Sequence, residues 1–119
     1  MSALSVAEVL ERAADLIEPE GAWTQGEFAL NADGEITGLS EFRGAAVCWC
    51  ALGAINKASA GDDSLEDVAE LILRNLVVRL VDEWNDAPER TQAEVVAKLR
   101  EAAALARAET LPNDEGLSQ

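Results

Sequence analysis

The most reactive side chains in this chain are two thiols, Cys48 and Cys50, set two positions apart around Trp49. A cysteine near a helix N-terminus can serve as a nucleophile because the helix end lowers its pKa. A small thiol-dependent enzyme or redox sensor centred on Cys48 or Cys50 is therefore one function to consider. The partner for that chemistry is missing. The 119 residues include no His, so no Cys-His pair can form, and the spacing is not the Cys-x-x-Cys of thioredoxin-type sites. On a helix, positions two apart point about 200° from each other, so the sulfurs could not bond. Each cysteine then reads as a small buried hydrophobe. Without His the chain also lacks the commonest general base and metal ligand, and no metal or cofactor is expected.

Carboxylates are the abundant functional group: 23 acidic residues stand against 9 basic ones, for a net charge of −14. Glu8, Glu11, Asp15 and Glu18 follow one another at three, four and three residues, which places them along one stripe of a helix. Asp62, Asp63, Glu66, Asp67 and Glu70 form a second cluster. Such rows can imitate a nucleic-acid backbone and occupy a basic groove on a partner protein, or they can simply solvate an acidic surface. Neither row has the buried, unequal pair that acid/base catalysis requires. Direct nucleic-acid binding is disfavoured, because its affinity comes from Lys and Arg displacing counterions. The expected function is a non-enzymatic acidic protein-interaction module that binds a basic surface, with the thiol reading as its alternative. Calcium is not expected at Asn31, Asp33 and Gly34, since the first and twelfth loop ligands of an EF-hand would be Ala29 and Ser40.

Helical periods and their punctuation show which elements must carry these groups. Ser5 with Glu8 reads as a capping box, and Val6, Val9, Leu10, Ala13 and Ile17 form the apolar face of a first helix that Pro19 and Gly21 stop. Residues 22–39 change period, and NADG between FAL and EIT reads as the turn of a short hairpin, with little strand expected elsewhere. Residues 45–58 are small and apolar, which predicts a central buried helix carrying Trp49 and Leu52 against the third and fourth helices. Ser64 with Asp67 opens the third helical stretch, whose apolar residues as far as Val81 surround the cylinder and predict core on most sides, with a break near Asn75. Thr91 with Glu94 caps a fourth helix with Val95, Leu99, Ala102 and Ala106 inside, fraying near Thr110. The expectation is a mainly α single domain over residues 1–110: about four helices, a hairpin between the first two, and a disordered tail over 111–119. Trp23, Trp49 and Trp84 fall one in each main block, as core scaffolding whose indoles find partners in Gln25, Asn85 or Asp86.

WCALGA (49–54), WNDAPERT (84–91), IEPEGAWTQG (17–26) and NADG occur together in this order. In them the chain resembles small bacterial and phage proteins grouped as a domain of unknown function. Their members share a Trp-Cys-x-x-Gly-Ala helix and a Trp-Asn-Asp loop before a Thr-capped helix. The resemblance covers roughly Leu4 to Arg107. It implies a fold and no activity, and it suggests a phage or mobile-element setting in which an acidic inhibitor could act by nucleic-acid mimicry.

The first twenty residues carry Glu8, Glu11, Arg12 and Asp15 where a secretion signal needs an apolar run. The most apolar stretch, 71–81, is interrupted by Arg74, Asn75 and Arg79 and falls short of the ~20 residues a bilayer demands. Two neighbouring cysteines cannot staple distant segments as secreted scaffolds do. A cytoplasmic setting without membrane contact is expected.

Overall fold

The computed structural model describes residues 4–36 and 46–116, with side chains as far as residue 108. Among the described residues it is mainly α, with a small two-stranded antiparallel ribbon between the first and second helices. Helix α1 (Val6–Ile17) is followed by strands β1 (Ala29–Asn31) and β2 (Ala46–Trp49). Then come α2 (Ala51–Ser59), α3 (Asp63–Val77), the short α4 (Val81–Asn85) and the long α5 (Gln92–Gly116).

Two capping boxes form as the sequence dictates. The Glu8 amide donates to Ser5 Oγ at 3.1 Å while the Ser5 amide donates to the Glu8 carboxylate at 2.9 Å. Thr91 and Glu94 repeat the exchange at the start of α5, at 3.2 and 2.9 Å. Each box satisfies two orphan amides of a helix end. The accepted backbone hydrogen bond, Thr91's first, holds the Glu94 carboxyl below the usual range. Behind these caps the apolar faces meet: Val9, Leu10, Ala13 and Ile17 of α1 and Val95, Leu99, Ala102 and Ala106 of α5 are buried together with Ile55 of α2 and Leu73 of α3. α5 continues past Thr110 to Gly116, although its last core residue among those described is Ala106.

The central helix is shorter than its composition suggests. Ala46 to Trp49 is extended, Cys50 is the N-cap, and helix begins only at Ala51; Ala45 lies outside the described residues. Val47, Cys48 and Trp49 are residue types that favour a pleated surface. Here they alternate exposed, buried and half-buried while pairing with β1. Leu30 faces Cys48 and Ala29 faces Trp49, with an irregularity between Leu30 and Asn31. Trp49 is therefore a strand residue flanking the core, and not part of a helix against the third and fourth. The NADG turn does form. Asn31 Oδ1 accepts from the amides of Asp33 and Glu35, both at 2.9 Å, and Gly34 takes a positive φ of 82°. Among the described residues an isolated bridge, Leu30 to Ile36, follows it, with Thr37 of the expected EIT strand outside them, and β1 takes β2 as its strand partner.

The third helical stretch also departs from expectation. Its cap is Asp62, which accepts from the Leu65 amide at 3.1 Å, in place of Ser64. Only Ala69 and Leu73 of α3 are fully buried, because the helix lies at the edge of the bundle and turns one face inward. The chain breaks at Val78, which is left-handed (φ 62°) and 83% exposed, and not at Asn75. A β-branched residue is strained in that conformation.

Gly53 sets how closely α2 approaches β1. A Cβ there would stand 2.0 Å from the carbonyl oxygen of Phe28. That same carbonyl accepts from the Cys50 amide at 3.1 Å, so helix start and strand are locked together. Gly53→Ala is expected to cost at least about 2 kcal/mol in denaturant titration, since backbone must move to admit the methyl group.

Candidate functional site

The segments that carry the Trp motifs converge on one buried amide. Asn85, the last residue of α4, has no exposed surface. Its Oδ1 accepts from Trp23 Nε1 at 2.8 Å and from the Ala51 amide at 3.0 Å. Its Nδ2 donates to the Thr24 carbonyl at 3.2 Å and to Asp86 Oδ1 at 3.0 Å. Both lone-pair directions and both protons are used, the full capacity of an amide side chain. The interaction also gives the first turn of α2 an acceptor for an amide the helix itself leaves unsatisfied.

Neighbouring groups reinforce the junction. Gln25 Nε2 donates to the carbonyls of Asn85 and Ala87, both at 2.9 Å, and Asp86 Oδ1 accepts from the Gly26 amide at 2.9 Å. Trp49 exchanges backbone hydrogen bonds with Ala22 and Thr24. Trp84 is buried. The Arg90 guanidinium lies 4.4 Å from its ring centroid and donates through Nε to its carbonyl at 2.9 Å. Of the partners expected for the indoles, Asn85 serves Trp23 directly, while Gln25 and Asp86 brace the loop that holds Asn85.

A cavity of about 220 Å³ opens beside this junction, lined by Gly26, Glu27, Phe28, Cys50, Asp82 and Asp86. Cys50 Sγ accepts from the Gly53 amide at 3.4 Å as the α2 N-cap, and the residue is 3% exposed. Burial pushes its thiol pKa up. The Gly53 and Leu52 backbone donors pull the other way, and the Asp86 charge raises it again. Cys48, on β2, is also buried. Because the segment is extended and not helical, the 200° separation does not apply, and side chains two apart share a strand face. Both cysteines are nevertheless free thiols.

The two acidic rows have different surroundings. On α1, Glu8 is engaged in its capping box. Arg100 of α5 reaches Glu11 at 2.7 Å, Asp15 at 3.1 Å and Glu18 at 2.8 Å, and Arg107 reaches Glu11 at 3.2 Å. Partial burial works against the Arg100 charge. The hydrogen bonds to Asp15 and Glu11 and the field of Glu18 outweigh it, so its pKa rises above the ordinary value. Gln92 Nε2 donates to the carbonyls of Ile17 and Pro19 at 2.6 and 2.7 Å, closing the same helix end. On α3, Asp62 caps the helix and Glu66 accepts from Asn56 Nδ2 at 3.1 Å. Among the described residues none of Asp62, Asp63, Glu66, Asp67 and Glu70 forms an ion pair. No group of His, Cys, Asp and Glu among the described residues is arranged to hold a metal.

Gly53, Gln92 and Arg100 were not singled out by sequence reasoning. For Gly53 a signal existed, a glycine inside an otherwise helical run that marks a close backbone approach. For the other two none existed, because their partners lie more than 70 residues away in sequence.

These features define a small, mainly α domain with a ribbon inserted after its first helix, knit by the TQG, WCALGA and WND segments. The chain belongs to DUF6197, a family of unknown function, whose model matches residues 1–105. Neither a curated protein nor a solved structure matches it.

Asn85→Ala should cost about 3 kcal/mol or more, because it leaves the Trp23 indole and the Ala51 amide as buried donors without an acceptor. Chemical denaturation monitored by Trp fluorescence measures it.

Proposed function

We propose that this chain is a non-enzymatic, acidic protein-interaction module that binds a basic surface on a partner, with the acidic cluster at the start of α3 as its contact. One observation supports this most strongly. Glu11, Asp15 and Glu18 of the α1 row are paired internally by Arg100 and Arg107, whereas none of the α3 carboxylates forms an ion pair among the described residues. Carboxylates left uncompensated on one helix end concentrate negative potential there, and such potential steers a positively charged partner. Inhibition by nucleic-acid mimicry, in the phage setting suggested by the resemblance, is the specific form this reading takes. Glu11, Asp15 and Glu18, engaged with Arg100, belong to the scaffold.

The test is affinity capture from the native host, comparing the wild-type chain with a variant carrying Asp63→Asn, Glu66→Gln, Asp67→Asn and Glu70→Gln. Asp62 is retained as the helix cap. The variant should lose the captured basic partner, and the wild-type on-rate should fall steeply as the Debye length shrinks from about 10 Å at 0.1 M salt to about 3 Å at 1 M. Equal capture by both proteins would refute the assignment.

The thiol reading draws little from the geometry. A buried Cys50 with a raised pKa beside Asp86 is the opposite of the electropositive, exposed setting that activates a thiol. Maleimide labelling of the folded protein at neutral pH should be at least about tenfold slower than after unfolding. Rapid labelling of either cysteine in the native state would revive that alternative.

A further inference from the structure

Helix α3 carries an apolar surface that the described residues leave partly uncovered. Ala69 and Leu73 face the core, yet Val68 and Leu71 are 43% and 44% exposed, and Leu105 on α5 is 44% exposed. Ile72 and Leu76 are half-buried. Between the two helices lies a groove of about 240 Å³ lined by Ile72, Asn75, Leu76 and Leu105. At four-residue spacing, Val68, Ile72 and Leu76 form one row along α3, and Asp63, Asp67 and Leu71 form the row beside it. The surface is thus bipartite. Its first two turns present carboxylates, and its later turns present aliphatic side chains next to the groove together with Arg74 of the last turn.

We infer that this face of α3, with the groove against α5, is the docking site for a basic amphipathic helix of the partner. The inference rests on the proposed function and specifies its partner. An amphipathic helix inserts apolar side chains at i, i+3, i+4 and i+7 into such a groove. Charge selects the occupant. The Asp63 and Asp67 row and the net charge of −14 favour a helix whose flank is Lys- and Arg-rich. They disfavour a second copy of this chain, which would bring two acidic rows together. Aliphatic contact supplies the affinity and the carboxylates supply orientation and on-rate.

The probe is a synthetic 18-residue peptide with Leu along one helical face and Lys on the other, compared with a scrambled peptide of the same composition. Binding is followed by fluorescence anisotropy and by chemical-shift mapping on the full chain. Saturable one-to-one binding is expected, with shifts centred on Val68, Leu71, Ile72 and Leu105, and the scrambled peptide should bind about tenfold more weakly. Leu71→Glu is the decisive variant because it adds negative charge while removing apolar contact. A docking groove predicts binding weakened about tenfold, whereas charge attraction alone predicts equal or tighter binding. Leu105→Gln, on the opposite wall, should weaken binding in the same direction, and a thermal melt checks that both variants fold. Unchanged or tighter binding by Leu71→Glu overturns the groove. The acidic module is judged separately by Asp63→Asn with Asp67→Asn: if binding and its salt dependence survive that change, the acidic reading fails as well, and if they are lost while Leu71→Glu binds normally, only the groove fails.

Discussion

The side-chain amide of Asn85 is the point on which the architecture turns. It lies at the end of a five-residue helix, a length with little stability of its own, and four hydrogen bonds join it to the Trp23 segment, the start of α2 and Asp86. An amide can do this where an apolar residue cannot, because it offers two acceptor and two donor positions at one place. In a low-dielectric interior each of those bonds is strong and each broken one is costly. Among the described residues no buried polar side-chain atom is left without a partner. The ribbon, the short helix and the α2 N-terminus are therefore positioned together.

From that junction the rest of the molecule follows in two directions. Toward β1, Gly53 lets α2 sit directly on the Phe28 backbone, and the Cys50 cap fixes where the helix starts. Toward α5, Arg90 holds the loop after Trp84, Thr91 starts the helix, and Gln92 and Arg100 bind the carbonyl end and the acidic stripe of α1. Guanidinium suits this task because its planar fork serves several carboxylates at once. The α1–α5 face spends the carboxylates of one row on internal pairing. The α3 carboxylates form no ion pair among the described residues, and they adjoin the exposed aliphatic surface.

Among the described residues no helix is long and apolar enough to cross a membrane. The exposed aliphatic side chains Val68 and Leu71 of α3 lie beside carboxylates of the same helix.

The sequence by itself determined the helical class, a strand-and-turn segment with its NADG turn between the first two helices, the two capping boxes and the core faces of α1 and α5. These depend on local spacing, and a 3.6-residue period or a Ser-x-x-Glu pattern has the same meaning wherever it occurs. It also showed that three Trp blocks need polar partners, with Asn85 among the candidates. Tertiary structure decided the rest. A small apolar run such as AAVCWCALGA is compatible with strand or helix, and only pairing with Ala29 and Leu30 makes its first part extended. The apolar residues of α3 look like core from every side, and which of them are covered depends on where the other helices lie. The α1 carboxylates look like a solvated stripe until Arg100, 82 to 89 residues away, closes on them. Long-range contacts of this kind leave no periodic trace in the chain, because the chain encodes them only through the fold that brings the partners together.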